Sequence, residues 1–135
     1  MKEVRILTLD TRGRIVIPQI IRRSLGITTN SQLMMVADSE TKEIKITPVG
    51  LDDKSQYFKY RITMKDEAGA LAKIATTFGK LGISLVFGES VIVEKDKAAI
   101  WTVIGPKPSQ MSLEGVEDAL RDEGDALKIE ITPLE

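Results

Sequence analysis

The chain has 135 residues, 42% of them hydrophobic and 29% charged, a size and balance that suit one compact domain or two small ones. It has neither cysteine nor histidine, which excludes a disulfide framework, zinc sites built on thiolate or imidazole, cysteine nucleophiles and serine–histidine triads. The net charge of −1 is unevenly spread: residues 1–50 hold eight basic and five acidic side chains, net +3, and the remainder eleven and fifteen, net −4.

The opening, MKEVRILTLD, carries charges too early and too often for a secretory signal. The longest uncharged run, Ala98 to Pro106, falls well short of the ~18 residues a membrane helix needs, so the expectation is a cytoplasmic protein with no membrane partner. Val4 to Leu9 alternates as a strand, and Asp10 to Gly13 supplies a turn. Arg12 and Arg14, two apart, project from one face of an extended segment. Ile15 to Ile17 favours a strand, Pro18 suits the start of a helix over Gln19 to Leu25, and Gly26 stops it. Turns at Thr28–Ser31 and Asp38–Lys42 bracket a strand from Gln32 to Ala37, and Glu43 to Thr47 alternates again before Pro48. The order β-β-α-β-β in about fifty residues is too small to bury a good core alone, which predicts an obligate dimer.

Gly50 to Gln56, GLDDKSQ, is polar and reads as a linker, giving a first domain over 1–50, a linker over 51–56 and a second domain over 57–135. In the second, Phe58 to Met64 alternates as a half-buried strand, and Leu71, Ile74, Ala75, Phe78 and Leu81 have the spacing of an amphipathic helix ending at Gly82. Ile83 to Phe87 and Ser90 to Val93 read as one broken strand with Gly88 at a bulge, and Ala98 to Ile104 returns as a strand carrying Trp101. Ser112 caps a helix running to Asp122, and Ala126 to Thr132 is the last strand. The order β-α-β-β-α-β is the ferredoxin-like split βαβ, and the fold class is α+β.

Gly13-Arg14-Ile15-Val16-Ile17-Pro18, followed by Ile21-Arg22-Arg23-Ser24-Leu25-Gly26-Ile27, resembles the signature of the AbrB/SpoVT-type swapped-hairpin DNA-binding domains. The resemblance covers roughly residues 4–48 and implies an intertwined dimer, in which hairpins of two chains make one small β-barrel. It also implies double-stranded DNA binding through Arg14, Arg22 and Arg23, in transcription regulation. Arg12 joins this set from its place in the turn. The position seven before Arg14, basic in well-known members, is Leu7 here, with Arg5 two residues earlier as the first strand's basic candidate.

The second half resembles the ACT domain, a regulatory module that commonly pairs and binds amino acids. Asp66-Glu67-Ala68-Gly69-Ala70-Leu71 is similar to that family's acidic–x–Pro–Gly–x–Leu opening, with Ala68 in place of proline, and Leu81-Gly82-Ile83-Ser84-Leu85 to its Gly-Ile-Asn-Ile element. The resemblance implies a small-molecule site over Asp66 to Leu71, joined by Ser84 and Leu85 where subunits pair edge to edge. The same residues serve two readings: Asp66 to Gly69 also suits an N-cap and tight turn, and Arg14 also suits an ion pair with Asp10 across the turn. The expected function is a DNA-binding transcriptional regulator, dimeric or tetrameric, with a ligand-sensing domain. It uses no cofactor, and no catalytic motif supports an enzyme. The alternative is an antitoxin-like module that neutralises a partner protein, although the second half is patterned rather than tail-like.

Overall fold

In the computed structural model, which describes residues 2–50 and 56–134, the chain divides into two units, Met1–Asp52 and Asp53–Glu135. The described residues are mixed α+β, with three helices and two antiparallel sheets. The linker expected over 51–56 lies, apart from Gln56, outside the described residues.

In the first unit, Pro18 starts helix α1 (Gln19–Leu25) by accepting at its carbonyl from Ile21 and Arg22 N–H, both at 3.0 Å. Gly26 ends the helix in the left-handed conformation. Strands β1 (Gln32–Asp38) and β2 (Glu43–Val49) then pair antiparallel, from Gln32 opposite Val49 to Asp38 opposite Glu43. The turns before and between them fall where the sequence puts them: Thr28 N–H donates to Ser31 Oγ at 2.8 Å, and Asp38 Oδ1 accepts from Glu40 N–H at 3.0 Å.

Two expected strands, Val4 to Leu9 and Ile15 to Ile17, are absent: among residues 2–18 there is no strand. The turn between them does form. Gly13 N–H donates to Asp10 O at 3.1 Å and Asp10 N–H to Arg14 O at 3.0 Å. Gly13 adopts φ +75°, which closes a three-residue hairpin loop. Beyond that turn the arms find no ladder partner among the described residues, and a strand exists only through such partners. Val4, Ile6 and Val16 are 84, 98 and 78% exposed, and no described residue of this unit is buried.

The second unit carries a self-contained core. Strand β3 (Tyr57–Met64) buries Phe58, Tyr60, Ile62 and Met64 on one face. Helices α2 (Ala70–Lys80) and α3 (Leu113–Asp122) contribute Ile74, Phe78, Val116 and Leu120 to the same core. Ser112 caps α3 as its sequence suggests, its Oγ accepting from Gly115 N–H at 3.1 Å. Strands β4 (Phe87–Glu94), β5 (Ala98–Pro106) and β6 (Lys128–Pro133) complete a sheet in the order β4-β5-β3-β6. Connection and sheet order are compatible with a ferredoxin-like split βαβ. Tyr60 and Trp101 both meet Phe78 edge to face, with centroids 5.3 and 6.0 Å apart. The Tyr60 hydroxyl donates to Pro106 O at 3.0 Å, and burial pushes its pKa up to about 12.

Two further expectations need correction. Ile83 to Val86 is not strand: β4 begins at Phe87, while Ile83 is buried and Leu85 packs on the core from a connecting segment. An apolar run marks burial without specifying strand. The register irregularity lies between Ile92 and Glu94 rather than at Gly88. Gly88 is small for another reason, because a Cβ there would lie 3.3 Å from the Trp101 indole nitrogen.

The two sheet edges differ. β6 carries Lys128, Glu130 and Pro133, residues that discourage strand addition. β4 exposes Val91, Ile92 and Val93 in succession.

Where α2 meets α3, a Cβ on Gly124 would lie 2.6 Å from the Leu120 carbonyl and 3.2 Å from Thr77 Oγ1. Gly124→Ala is expected to lower unfolding stability by about 1–3 kcal/mol. Gly79→Ala, in open space within α2, is expected to raise it by about 0.5–1 kcal/mol. Urea unfolding of both variants checks the pair, and a neutral Gly124→Ala contradicts the packing described.

Candidate nucleic-acid interface and ligand pocket

The arginines singled out in the sequence fall into three surroundings. Arg12 and Arg14 flank Gly13 in the closed turn. Asp10 Oδ1 accepts from Arg12 and Arg14 backbone N–H at 2.9 and 2.8 Å, and Oδ2 accepts from Arg14 Nε at 2.7 Å. Arg14 is therefore paired as the turn geometry suggested, yet its side chain stays 67% exposed. The Arg14 N–H groups hold the Asp10 carboxyl below its usual range, with a smaller contribution from Arg12 N–H. Arg22 and Arg23 occupy the last turn of α1, where the helix C-terminus favours cations. With Gln19, Ile27, Thr28 and Thr29 they line an open cleft of about 580 Å³. Arg5 is turned to its neighbours, with Nη1 2.9 Å from Glu3 and donating to the Val4 carbonyl. Among the described residues, Arg12, Arg22 and Arg23 form no ion pair, and three guanidinium groups are left to solvent.

The candidate ligand segment divides in the same way. Glu67, Ala68, Gly69 and Ala70 line an open pocket of about 550 Å³ between the β3–α2 and α3–β6 connections. Asp66 does not line it. Its Oδ2 accepts from Asp96 N–H at 2.7 Å and its own N–H donates to Lys97 O at 3.3 Å, which staples this loop to the β4–β5 turn. Leu71, Ser84 and Leu85 are also outside the pocket lining. The sequence reading missed Lys65, Lys73, Arg121 and Asp125, which do line it. Lys73 donates to Asp125 across 52 positions of sequence, a pairing that only the tertiary fold creates. Arg121 pairs with Glu117 at 2.9 Å and Asp118 at 3.5 Å. Gly69 offers no side-chain cap to α2, and the first turn of α2 has no acid. The Ala70 and Lys73 N–H groups are taken by the Glu67 and Gly69 carbonyls at 3.2 and 3.1 Å, so of the basic side chains in the lining only Lys65 forms no ion pair among the described residues.

No protein family profile matches the chain, and no curated protein matches it. Among solved structures, the chain is similar to the solution structure of the C-terminal domain of the MgtC protein from Mycobacterium tuberculosis. The identity is 13% and the TM-score 0.50, over 64% of this chain and 95% of that one. This likeness is one of fold. No helix among the described residues is long and apolar enough to cross a membrane.

The Lys73–Asp125 pair sets an expectation for titration. The hydrogen bond and charge of Lys73 hold the Asp125 carboxyl below the usual carboxylate range, and Asp125 in turn raises the Lys73 ammonium above its ordinary value. Because the folded carboxyl titrates lower than the unfolded one, its stabilising contribution is present above the unfolded pKa and lost as pH falls through the folded value. Carboxyl NMR titration should place the Asp125 midpoint below that of an unpaired aspartate, and Lys73→Met should move it upward. An unmoved midpoint contradicts the pairing.

Proposed function

We propose that this chain is a DNA-binding transcriptional regulator with a ligand-sensing C-terminal unit. The carrying observation is the first unit itself: two apolar arms joined by a closed turn, no buried residue, and three guanidinium groups free of carboxylates. Arms of this kind gain partners by exchange with a second copy. The reading is a swapped-hairpin barrel of AbrB/SpoVT type, built by two chains, in which Arg12, Arg14, Arg22 and Arg23 meet duplex DNA. Arg5, paired with Glu3, is the weakest member of the set.

The second unit is read as an ACT-like sensor. Its unprotected β4 edge supports pairing between copies, which brings Ser84 and Leu85 to the ligand site. The lining at Glu67 to Ala70, with the Lys65 ammonium beside it, is read as the place for the carboxylate of a small molecule such as an amino acid. Coupling between effector and DNA sites of about 1–3 kcal/mol changes operator affinity five- to hundredfold. The protein works as a homodimer or homotetramer, without a cofactor and without catalysis.

A dimer presents eight of these arginines. If six or more neutralise phosphates, duplex affinity falls by ~10³-fold or more between ~50 and ~200 mM salt. The double variant Arg14→Ala/Arg23→Ala should bind more weakly and with a shallower salt slope. Fluorescence anisotropy on labelled duplex measures both, and a wild-type slope near zero removes the DNA reading.

A further inference from the structure

One carboxylate closes the turn between the N-terminal arms from two sides. Asp10 Oδ1 takes the backbone N–H groups of Arg12 and Arg14, which is the turn's own requirement. Oδ2 does something the turn does not require, accepting Arg14 Nε at 2.7 Å. On a surface that meets phosphate, an acid set between two arginines weakens the local positive potential. Its presence calls for a compensating gain.

That gain is orientation. A free arginine samples many rotamers, and freezing them on contact costs affinity. Anchoring Arg14 by Nε fixes the guanidinium plane, while Nη1 and Nη2 have no protein partner among the described residues. These two nitrogens form the end of the guanidinium fork, the geometry that grips a phosphate or the O6/N7 edge of guanine. Arg12 differs, because Asp10 binds only its backbone and leaves its side chain unheld.

We propose that Asp10 is a positioning residue for duplex recognition, holding Arg14 by Nε so that its two Nη nitrogens meet DNA as a preset fork. The inference rests on the DNA-binding reading above. It makes Arg14 the fixed contact of the turn and Arg12 the adaptable one.

Asp10→Asn tests it with an inverted sign. The amide oxygen still accepts from the backbone, so the turn persists, but the NH₂ group cannot accept from Nε. Charge alone predicts tighter binding once an acid is removed; positioning predicts weaker binding. With the full chain and sheared mixed-sequence duplex DNA at low salt, Asp10→Asn should bind roughly five- to tenfold more weakly. In an Arg14→Ala background the same substitution should cause no further loss. The Arg14 Nε–H resonance, slow to exchange in the unsubstituted protein without DNA, should exchange faster in Asp10→Asn. Binding that is equal or tighter overturns the proposal. So does an undiminished loss in the Arg14→Ala background, which marks a collapsed turn rather than a released side chain. Failure of the unsubstituted protein to bind this DNA removes the DNA reading and the proposal together, and it is distinguished by needing no variant.

Discussion

Apolar surface without a partner is the constraint on which the first unit depends. Fifty residues can bury little on their own, and here even the available burial is not reached. Val4, Ile6, Leu9, Ile15, Val16, Met35 and Ile44 all stand exposed, with no buried residue among those described. Apolar area removed from water contributes about 25 cal/mol per Å², so these side chains represent a large stabilisation that the lone unit forgoes. The closed turn at Asp10–Arg14 holds two arms whose backbone donors and acceptors have no ladder. In the proposed dimer a second copy would supply both missing terms, hydrophobic cover and strand partners, and would double the number of arginines on the assembly.

The second unit rests on the opposite condition. Its buried side chains alternate along β3 and repeat at helical spacing along α2 and α3, and the aromatic contacts of Tyr60, Phe78 and Trp101 tie sheet to helix. Thr77, the buried polar side chain, donates to Lys73 O at 2.9 Å and leaves no unsatisfied group. Such a unit holds itself together and can offer its β4 edge and its pocket to other molecules. The division of charge along the chain follows the same boundary, with the basic half lacking a core and the acidic half owning one.

Much of this was legible in the sequence wherever local chemistry decides the outcome. Pro18 and Gly26 bracket α1, Ser112 caps α3, and the period-two pattern of Phe58 to Met64 marks β3, because caps and periodicity act within a few residues. Legibility ended where a distant group decides. The arms from Val4 and from Ile15 have strand composition but no ladder partner among the described residues. Ile83 to Val86 is apolar because it covers the core, not because it joins a ladder. Asp66 has the residue type of a ligand contact and of a cap alike. Its true partner, the Asp96 N–H, lies 30 positions away. The pocket residues Lys73, Arg121 and Asp125 come together only after α2 and α3 have packed. Asp10 lies between the two cases: its bond to Arg14 follows from the four-residue spacing, but the division of work between its two oxygens appears only in the geometry.

The most direct test of the account concerns the arms and not the arginines. Equal amounts of isotopically labelled and unlabelled chain are mixed, unfolded and refolded together, and isotope-filtered NMR records contacts between methyl groups of different copies. The account predicts inter-copy contacts from Val4 and Ile6 to apolar side chains of the other first unit, such as Ile15, Val16 or Met35. A monomer at every concentration, with the arms' amides exchanging freely with solvent, would contradict it.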